Sequence, residues 1–191
     1  KNIKKGQSLH SEVVKKGFDG EALIGNILVD MYSKCGFLED AKEVFDLLHV
    51  RDVVSWNALL TGYAEHGLGE QVLHGFQKMQ QDGIPLTSAT LVSSLRACTI
   101  LEAIDKGRTV HAEIAQEGYE EDAFVCSALV DMYAKCGSLE EARDIFDNLR
   151  VHDVVTWTTL IVAYTEHGRG EEALQCMEKM KLEGFLPDAV T

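Results

Sequence analysis

Apolar residues recur at helical spacing in pairs of short segments along the chain. Between positions 53 and 87, two such groups each fall on one face of a helix. The groups are Trp56, Leu59, Leu60 and Tyr63, followed by Val72, Leu73, Phe76 and Met79. Gly67 follows the first group and Gly83 follows the second, and glycine commonly ends a helix. The pattern therefore predicts two short helices joined by a turn, a helical hairpin.

The hairpin pattern repeats along the whole chain. Residues 30–67 and 131–168 are identical at 22 of 38 positions at an offset of 101, and His10 and His111 share this offset. The long period subdivides into five predicted hairpins, at residues 22–52, 53–87, 88–122, 123–153 and 154–188, with residues 1–21 and 189–191 assigned to the hairpins before and after them. In the fourth hairpin, Ser138 and Glu141 have the spacing of a capping box, which predicts the start of its second helix.

A single hairpin of this size cannot bury both of its apolar faces, so neighbouring hairpins must stack. The sequence therefore predicts an all-α fold, a right-handed superhelical solenoid of helix–turn–helix repeats. The first helix of each hairpin is expected to line a concave groove, where a ligand would lie. Trp56 and Trp157 fall on the apolar face and are expected in the core. We expect His10 and His111 to pack between helices or to lie at the polar surface, and His66 and His167 to lie at helix C-termini.

Composition changes this prediction in one respect, the charge. The 191 residues carry a net charge of −13, whereas nucleic-acid binders usually have a basic face. No segment reaches the roughly 18 consecutive apolar residues of a membrane helix, so no membrane partner is expected. None of the five cysteines is two residues from another, and Cys35 and Cys136 occupy matching repeat positions. We therefore expect buried packing cysteines, without a metal, a cofactor or a disulfide framework.

Several motifs together resemble a known family. Residues 31–36 (MYSKCG), 132–137 (MYAKCG), 53–67 (VVSWNALLTGYAEHG) and 154–168 (VVTWTTLIVAYTEHG) are similar to pentatricopeptide repeats, and in particular to the PLS subclass of land plants. In that register, residues 22–52 and 123–153 resemble S motifs, 53–87 and 154–188 resemble P motifs, and 88–122 resembles an L motif. Residues 1–21 resemble the tail of an earlier L motif.

The resemblance implies recognition of single-stranded RNA at one base per repeat. In the family, the fifth and last residues of each motif select the base. The implied base-reading residues, in order of hairpins, are Asn26 with Asp52, Asn57 with Thr87, Val92 with Asp122, Ser127 with Asp153, and Thr158 with Asp188. The implied RNA is U-Y-N-R-G, since valine forms no hydrogen bond with a base. The last residues Asp52, Asp153 and Asp188 can equally act as helix N-caps.

The second residue of each motif is implied to hold the base between repeats. These base-clamping residues are Leu23, Val54, Ala89, Phe124 and Val155. Lys34 and Lys135 are implied to contact phosphate, whereas Glu65 and Glu166 stand at the same place in the two P motifs and would repel it. The first P motif ends in Ile-Pro-Leu-Thr in place of the usual proline–aspartate, which weakens the assignment of Thr87.

The expected function is an RNA-addressing module of a mitochondrial or chloroplast editing or processing factor, within a larger protein. We expect weak, strongly salt-dependent RNA binding by this segment alone, and self-association through exposed terminal repeats. No His-x-Glu motif is followed by Pro-Cys-x-x-Cys, the signature of zinc deaminases, and no catalytic pattern recurs, so no enzyme is expected. The alternative is a scaffold that docks editing cofactor proteins or peptides in its groove, which the acidic charge favours.

Overall fold

The structure, a computed structural model, describes residues 3–17, 21–149 and 152–186. Every regular element in these ranges is an α-helix. In chain order they are α1 (Ile3–Lys15), α2 (Ala22–Cys35), α3 (Leu38–Leu47), α4 (Val53–Glu65), α5 (Gly69–Gln81), α6 (Ser88–Ile100), α7 (Ile104–Glu117), α8 (Ala123–Lys135), α9 (Leu139–Asp147), α10 (Val154–Glu166) and α11 (Gly170–Leu182). Each of the five predicted hairpin segments contains two of them. None of the described helices has the length and apolarity needed to cross a membrane.

The chain divides into two compact units, residues 1–97 and 98–191. In the first unit, α2 packs against α1, α3 and α4, and α4 also packs against α3 and α5. In the second unit, α8 packs against α7, α9 and α10, and α10 also packs against α9 and α11. Within each unit, the first helices of neighbouring hairpins therefore lie side by side. We use "first helices" for α2, α4, α6, α8 and α10, and "second helices" for α3, α5, α7, α9 and α11.

The core consists of the apolar stripes that the periodicity predicts. Trp56 is 8% exposed and Trp157 is 1% exposed, so both tryptophans pack inside and neither is available to stack on a ligand. Trp56 meets Phe45 edge to face, and Trp157 meets Phe146 in the same way. The core assignment of both tryptophans is confirmed.

The repeated histidines have structural partners. The Nδ1 atoms of His10 and His111 each lie 3.0 Å from a tyrosine hydroxyl, on Tyr32 and Tyr133. His66 and His167 follow the last residues of α4 and α10, and each ring Nδ1 donates to a carbonyl four residues earlier at 2.9 Å. These contacts confirm the packing and helix C-terminal positions predicted for the four histidines.

Helix starts differ from the prediction at one place. Asp52, Asp122 and Asp153 cap α4, α8 and α10, and Asp153 forms a complete capping box with Thr156. The capping box predicted at Ser138 is wrong, because the Ser138 side chain accepts no hydrogen bond from the first turn of α9. The backbone of Ser138 (φ −104°, ψ 68°) departs from the extended conformation of an N-cap. Glu141 Oε1 also accepts a hydrogen bond from Arg108 Nη2 at 2.9 Å.

The cysteines are all free thiols. Cys98, Cys126 and Cys176 are buried, as expected, whereas Cys35 and Cys136 are only half-buried. No group of three or more histidine, cysteine or acidic side chains within the described residues is placed to hold a metal ion.

Candidate functional site

The first candidate base-reading pair is hydrogen-bonded. Asn26 lies on α2, and its Nδ2 donates to both carboxylate oxygens of Asp52, at 3.2 and 3.4 Å. Asp52 precedes α4 and also accepts from the Ser55 backbone N–H at 2.8 Å. Partial burial raises the pKa of Asp52, but the hydrogen bonds from Ser55 and Asn26 outweigh burial and hold that pKa below its ordinary value. The side chain is therefore an ionised, acceptor-only group that keeps the Asn26 amide nitrogen turned toward it.

The second pair is hydrogen-bonded in the same way, although threonine replaces aspartate. Asn57 on α4 donates from Nδ2 to Thr87 Oγ1 at 2.9 Å. Thr87 precedes α6, and its Oγ1 accepts from the Thr90 backbone N–H at 3.3 Å. Thr87 thus occupies the place relative to Asn57 that Asp52 occupies relative to Asn26, despite the unusual sequence before it.

Two of the other implied pairs, Val92 with Asp122 and Ser127 with Asp153, differ from these two. Val92 is half-buried on α6. Asp122 and Asp153 cap helices, and within the described residues no side-chain hydrogen bond joins Ser127 to Asp153. Thr158 lies on α10, and Asp188 is outside the described residues.

The implied base-clamping residues share an unusual exposure. Leu23, Val54, Phe124 and Val155 are 75%, 56%, 80% and 60% exposed, and Ala89 is exposed as well. Each is the second residue of a first helix. A single exposed apolar side chain needs no explanation, but recurrence at the same place in all five hairpins indicates a common role.

The implied phosphate-contacting lysines are paired with acidic residues of their own helices. Lys34 Nζ lies 2.8 Å from Asp30, and Lys135 Nζ lies 2.9 Å from Asp131. All four side chains are partly exposed, and such surface pairs are weak, so each lysine can exchange its partner for a phosphate. Together with Thr158 and Glu166, Asp131 and Lys135 line a cleft of about 220 Å³ between α8 and α10.

The acidic charge is distributed unevenly between the two sets of helices. The five first helices contain four carboxylates and three cations, a net charge of −1. The five second helices contain fifteen carboxylates and seven cations, a net charge of −8. The first helices, which carry the fifth residues of the hairpins, are therefore nearly neutral, whereas the last residues Asp52, Asp122 and Asp153 add three carboxylates just before α4, α8 and α10.

A larger cleft, of about 770 Å³, lies in the second unit between α7, α8, α9 and the start of α10. Cys126 and Leu149 line it. In the first unit, Gly25 and Leu48 occupy the same repeat positions, and Leu48 lies so close that a Cβ on Gly25 would be 2.1 Å from its Cδ2. Leu48 is buried, whereas Leu149 is half-buried. In the second unit, the Cys126 side chain thus occupies the space that Leu48 fills beside Gly25 in the first unit.

Two features of the site were not predicted from the sequence. Thr90, three places into the third hairpin, bonds to Asn57 across the hairpin boundary. Its position in the sequence gives no signal of this contact. The pairing of Lys34 and Lys135 with Asp30 and Asp131 could have been predicted, because Asp-x-x-x-Lys places the two charges on one helix face.

Comparisons with known proteins agree with this architecture. The PPR repeat family profile matches residues 51–99 and 152–191, and the PPR repeat profile matches residues 26–53 and 124–154. A pentatricopeptide repeat-containing protein of Arabidopsis thaliana, named as mitochondrial, is 40% identical over 186 residues, 97% of this chain and 29% of the relative. Another from the same plant, CRR2, named as chloroplastic, is 38% identical over 193 residues, all of this chain and 29% of the relative.

The chain spans about a quarter to a third of the length of the curated relatives it matches. Among solved structures, the pentatricopeptide repeat protein PPR10 from maize aligns with a TM-score of 0.82 over 97% of this chain and 27% of its own, at 18% identity. This likeness confirms the predicted fold class, an all-α solenoid of helix–turn–helix repeats. The two repeat profiles together cover residues 26–99 and 124–191, so the chain belongs to the pentatricopeptide repeat family.

Proposed function

We propose that this chain is a sequence-selective single-stranded RNA-binding module in which successive hairpins each read one base. The observation that carries the proposal is the hydrogen-bonded pair formed by the fifth and last residues of a hairpin, Asn26 with Asp52 and Asn57 with Thr87. In each pair, the asparagine amide is held by the residue that directly precedes the next first helix. The second N–H of a fixed amide can distinguish a base that presents an acceptor from one that presents a donor.

The surroundings of these pairs support the same function. Leu23 and Val54 each lie three residues before an asparagine of a pair, Asn26 and Asn57, and both are exposed. Exposed apolar side chains are suited to stack against base faces. The first helices themselves carry a net charge of only −1, so most of the negative charge of the chain lies outside them. The maize protein PPR10 is described in complex with an 18-nt psaJ RNA element, which agrees with RNA as the ligand class.

The finer proposal is the RNA order U-Y-N-R-G, with Asn26 reading uracil and Asn57 a pyrimidine. Ser127 and Thr158, which offer hydroxyls, would read the last two positions. We further propose that the longer protein is a mitochondrial or chloroplast editing or processing factor, for which this segment supplies the address. The organelle names of the Arabidopsis relatives support that context.

Fluorescence-anisotropy titration of labelled 12-nt RNAs tests the proposal. One RNA contains UUAGG in a neutral adenine context, and the other has the same bases in reversed order. We expect the first to bind more tightly. Asn57→Ala should reduce the difference about 5–30-fold, the equivalent of roughly 1–2 kcal/mol for two hydrogen bonds. Gln77→Ala on α5, an exposed residue of a second helix, is the matched control and should change nothing.

Circular dichroism of both variants establishes that the fold is retained. Equal affinity for the two RNAs would refute sequence-selective reading. Binding of basic or apolar peptides in place of RNA would instead identify the chain as a protein-docking scaffold.

A further inference from the structure

Asn57 is held by a second threonine in addition to Thr87. Thr90 lies on α6 in the following hairpin and is fully buried. Its Oγ1 donates to Asn57 Oδ1 at 2.7 Å, and it lies 3.0 Å from Thr87 Oγ1. Together with the bond from Asn57 Nδ2 to Thr87, these contacts close a ring of three polar side chains. Both ends of the Asn57 amide are therefore engaged.

In the described hairpins at residues 22–52 and 123–153, the corresponding residues do not form this ring. Ser55 occupies the place of Thr90 in the hairpin after Asn26, but its Oγ donates to the Asp52 backbone carbonyl at 2.8 Å. Asn26 is consequently anchored through Nδ2 alone, and its buried Oδ1 has no hydrogen-bond partner. Thr156 occupies the same place after Ser127, and its hydroxyl donates to the Asp153 backbone carbonyl and carboxylate at 3.0 Å. Of these three hairpins, only the one containing Asn57 has its fifth residue held by the next hairpin.

We propose that Thr90 is a positioning residue that sets the base selectivity of the hairpin at residues 53–87. This inference rests on the proposed RNA-binding function and names a determinant beyond the fifth and last residues. Thr90 is too deeply buried to touch a base. It acts through Asn57, by holding the plane of the amide whose remaining N–H and lone pair face the ligand.

The chemistry of the ring also defines which bases Asn57 accepts. A carboxylate only accepts hydrogen bonds, so Asp52 fixes the direction of the Asn26 amide. A hydroxyl both donates and accepts, so Thr87 and Thr90 can bond the Asn57 amide in either of its two flipped orientations. Cytosine presents an amino donor where uracil presents a carbonyl acceptor. Asn57 can therefore serve both pyrimidines, while its fixed plane excludes the larger purines.

The experiment measures affinity for four RNAs that differ only at the nucleotide after the uracil, using the whole chain. For the unchanged chain we expect cytosine and uracil to bind within about twofold of each other, and both purines at least about fivefold more weakly. Thr90→Val keeps the shape but removes the hydroxyl, and should bring the pyrimidine-to-purine ratio down to about one. Thr90→Ser restores the hydroxyl and should restore the ratio.

Thr156→Val is the matched control. It removes a buried hydroxyl from the same repeat position, where that hydroxyl contacts the cap of α10 instead of a fifth residue. It should lower the melting temperature by an amount similar to Thr90→Val and leave selectivity at the second nucleotide unchanged. A parallel loss of selectivity in both variants would show a general folding effect and overturn the role of Thr90.

A readout without RNA separates this inference from the proposed function. In ¹H–¹⁵N spectra, the signal of the Asn57 side-chain amide is identified by its loss in Asn57→Ala. We expect this amide to exchange slowly with water in the unchanged chain and faster in Thr90→Val. In Thr90→Ser the exchange should be slow again. If the unchanged chain reads no base, the proposed function fails whatever the amide shows. If the unchanged chain is selective and Thr90→Val keeps both the selectivity and the slow exchange, the positioning role is refuted while the proposed function stands.

Discussion

The close approach of the first helices in the first unit makes Gly62→Ala an informative substitution. Gly62 lies on α4 and is buried against Ser33 of α2. A Cβ at this glycine would lie 2.4 Å from Ser33 Cβ and 3.3 Å from Ser33 Cα. These atoms belong to the backbone and its first side-chain carbon, so no rotamer change can relieve the overlap. The variant therefore has to move α4 away from α2.

Two opposing contributions determine the size of the effect. Alanine in place of glycine inside a helix stabilises by about 0.5–1 kcal/mol, because the unfolded chain has less freedom to lose. Overpacking of a close contact costs about 1–3 kcal/mol, and overlap with backbone atoms belongs in the upper part of that range. We expect a net loss of about 1–2 kcal/mol, or a melting temperature lower by about 2–8 °C for a chain of this size.

The second unit and a second glycine supply the controls. Ala163 and Ala134 occupy the positions of Gly62 and Ser33 and are 4% and 2% exposed, so alanine itself is compatible with this place in a first helix. Gly170→Ala, at the exposed start of α11, meets no atom within 4 Å and should leave the melting temperature unchanged or slightly higher. Thermal unfolding followed by circular dichroism measures both variants. A Gly62→Ala protein as stable as the unchanged chain would refute the close packing of α2 and α4.

Two further predictions concern titratable groups. Burial lowers the pKa of His111 below its ordinary 6.5, more than Glu120 raises it. Below pH 6.5 the unfolded chain then binds more protons than the folded chain, so the stability that neutral His111 contributes is present above pH 6.5 and lost as the pH falls. An NMR titration of the imidazole should give a midpoint below 6.5, and a higher midpoint would contradict the burial argument. For the thiols, burial raises the pKa of Cys98 to about 11, so at pH 8 Cys98 should react last with a disulfide reagent and half-buried Cys35 among the first. Early labelling of Cys98, read by peptide mass spectrometry, would show that α6 opens readily.

The helices could be predicted from the sequence because their signals are local. Apolar spacing, glycines such as Gly67 and Gly83, and the offset of 101 residues all lie within short stretches of chain. The core positions of Trp56 and Trp157 follow from the same periodicity. The exposed second residues, by contrast, were identified through the family register, since periodicity alone does not distinguish an exposed valine such as Val54 from a buried one.

The parts that could not be predicted depend on contacts between hairpins. The bond from Thr90 to Asn57 joins residues 33 positions apart, and Ser55 and Thr156 show that the same place in a hairpin can be used differently. The capping box at Ser138 was wrong for the same reason, because Glu141 pairs with Arg108 on α7. The geometry of the candidate base-reading residues is therefore a tertiary property even in a chain whose helices are defined locally.

The separation of charge between first and second helices leads to a quantitative expectation for salt. Packed helices lie about 8–10 Å apart, close to the screening length of about 8 Å at physiological ionic strength, so much of the field of the acidic second helices is screened at the first helices. The basic side chains on the five fully described first helices are Lys34, Arg96 and Lys135. Single-stranded binding weakens with a logarithmic slope of about −0.7 per phosphate neutralised, so three such contacts give a slope no steeper than about −2. This is shallower than the acidic sequence alone suggested, and it means that affinity must come mainly from base contacts. Titrations across several salt concentrations measure the slope directly, and a value steeper than about −3 would show that cations outside the first helices hold the RNA.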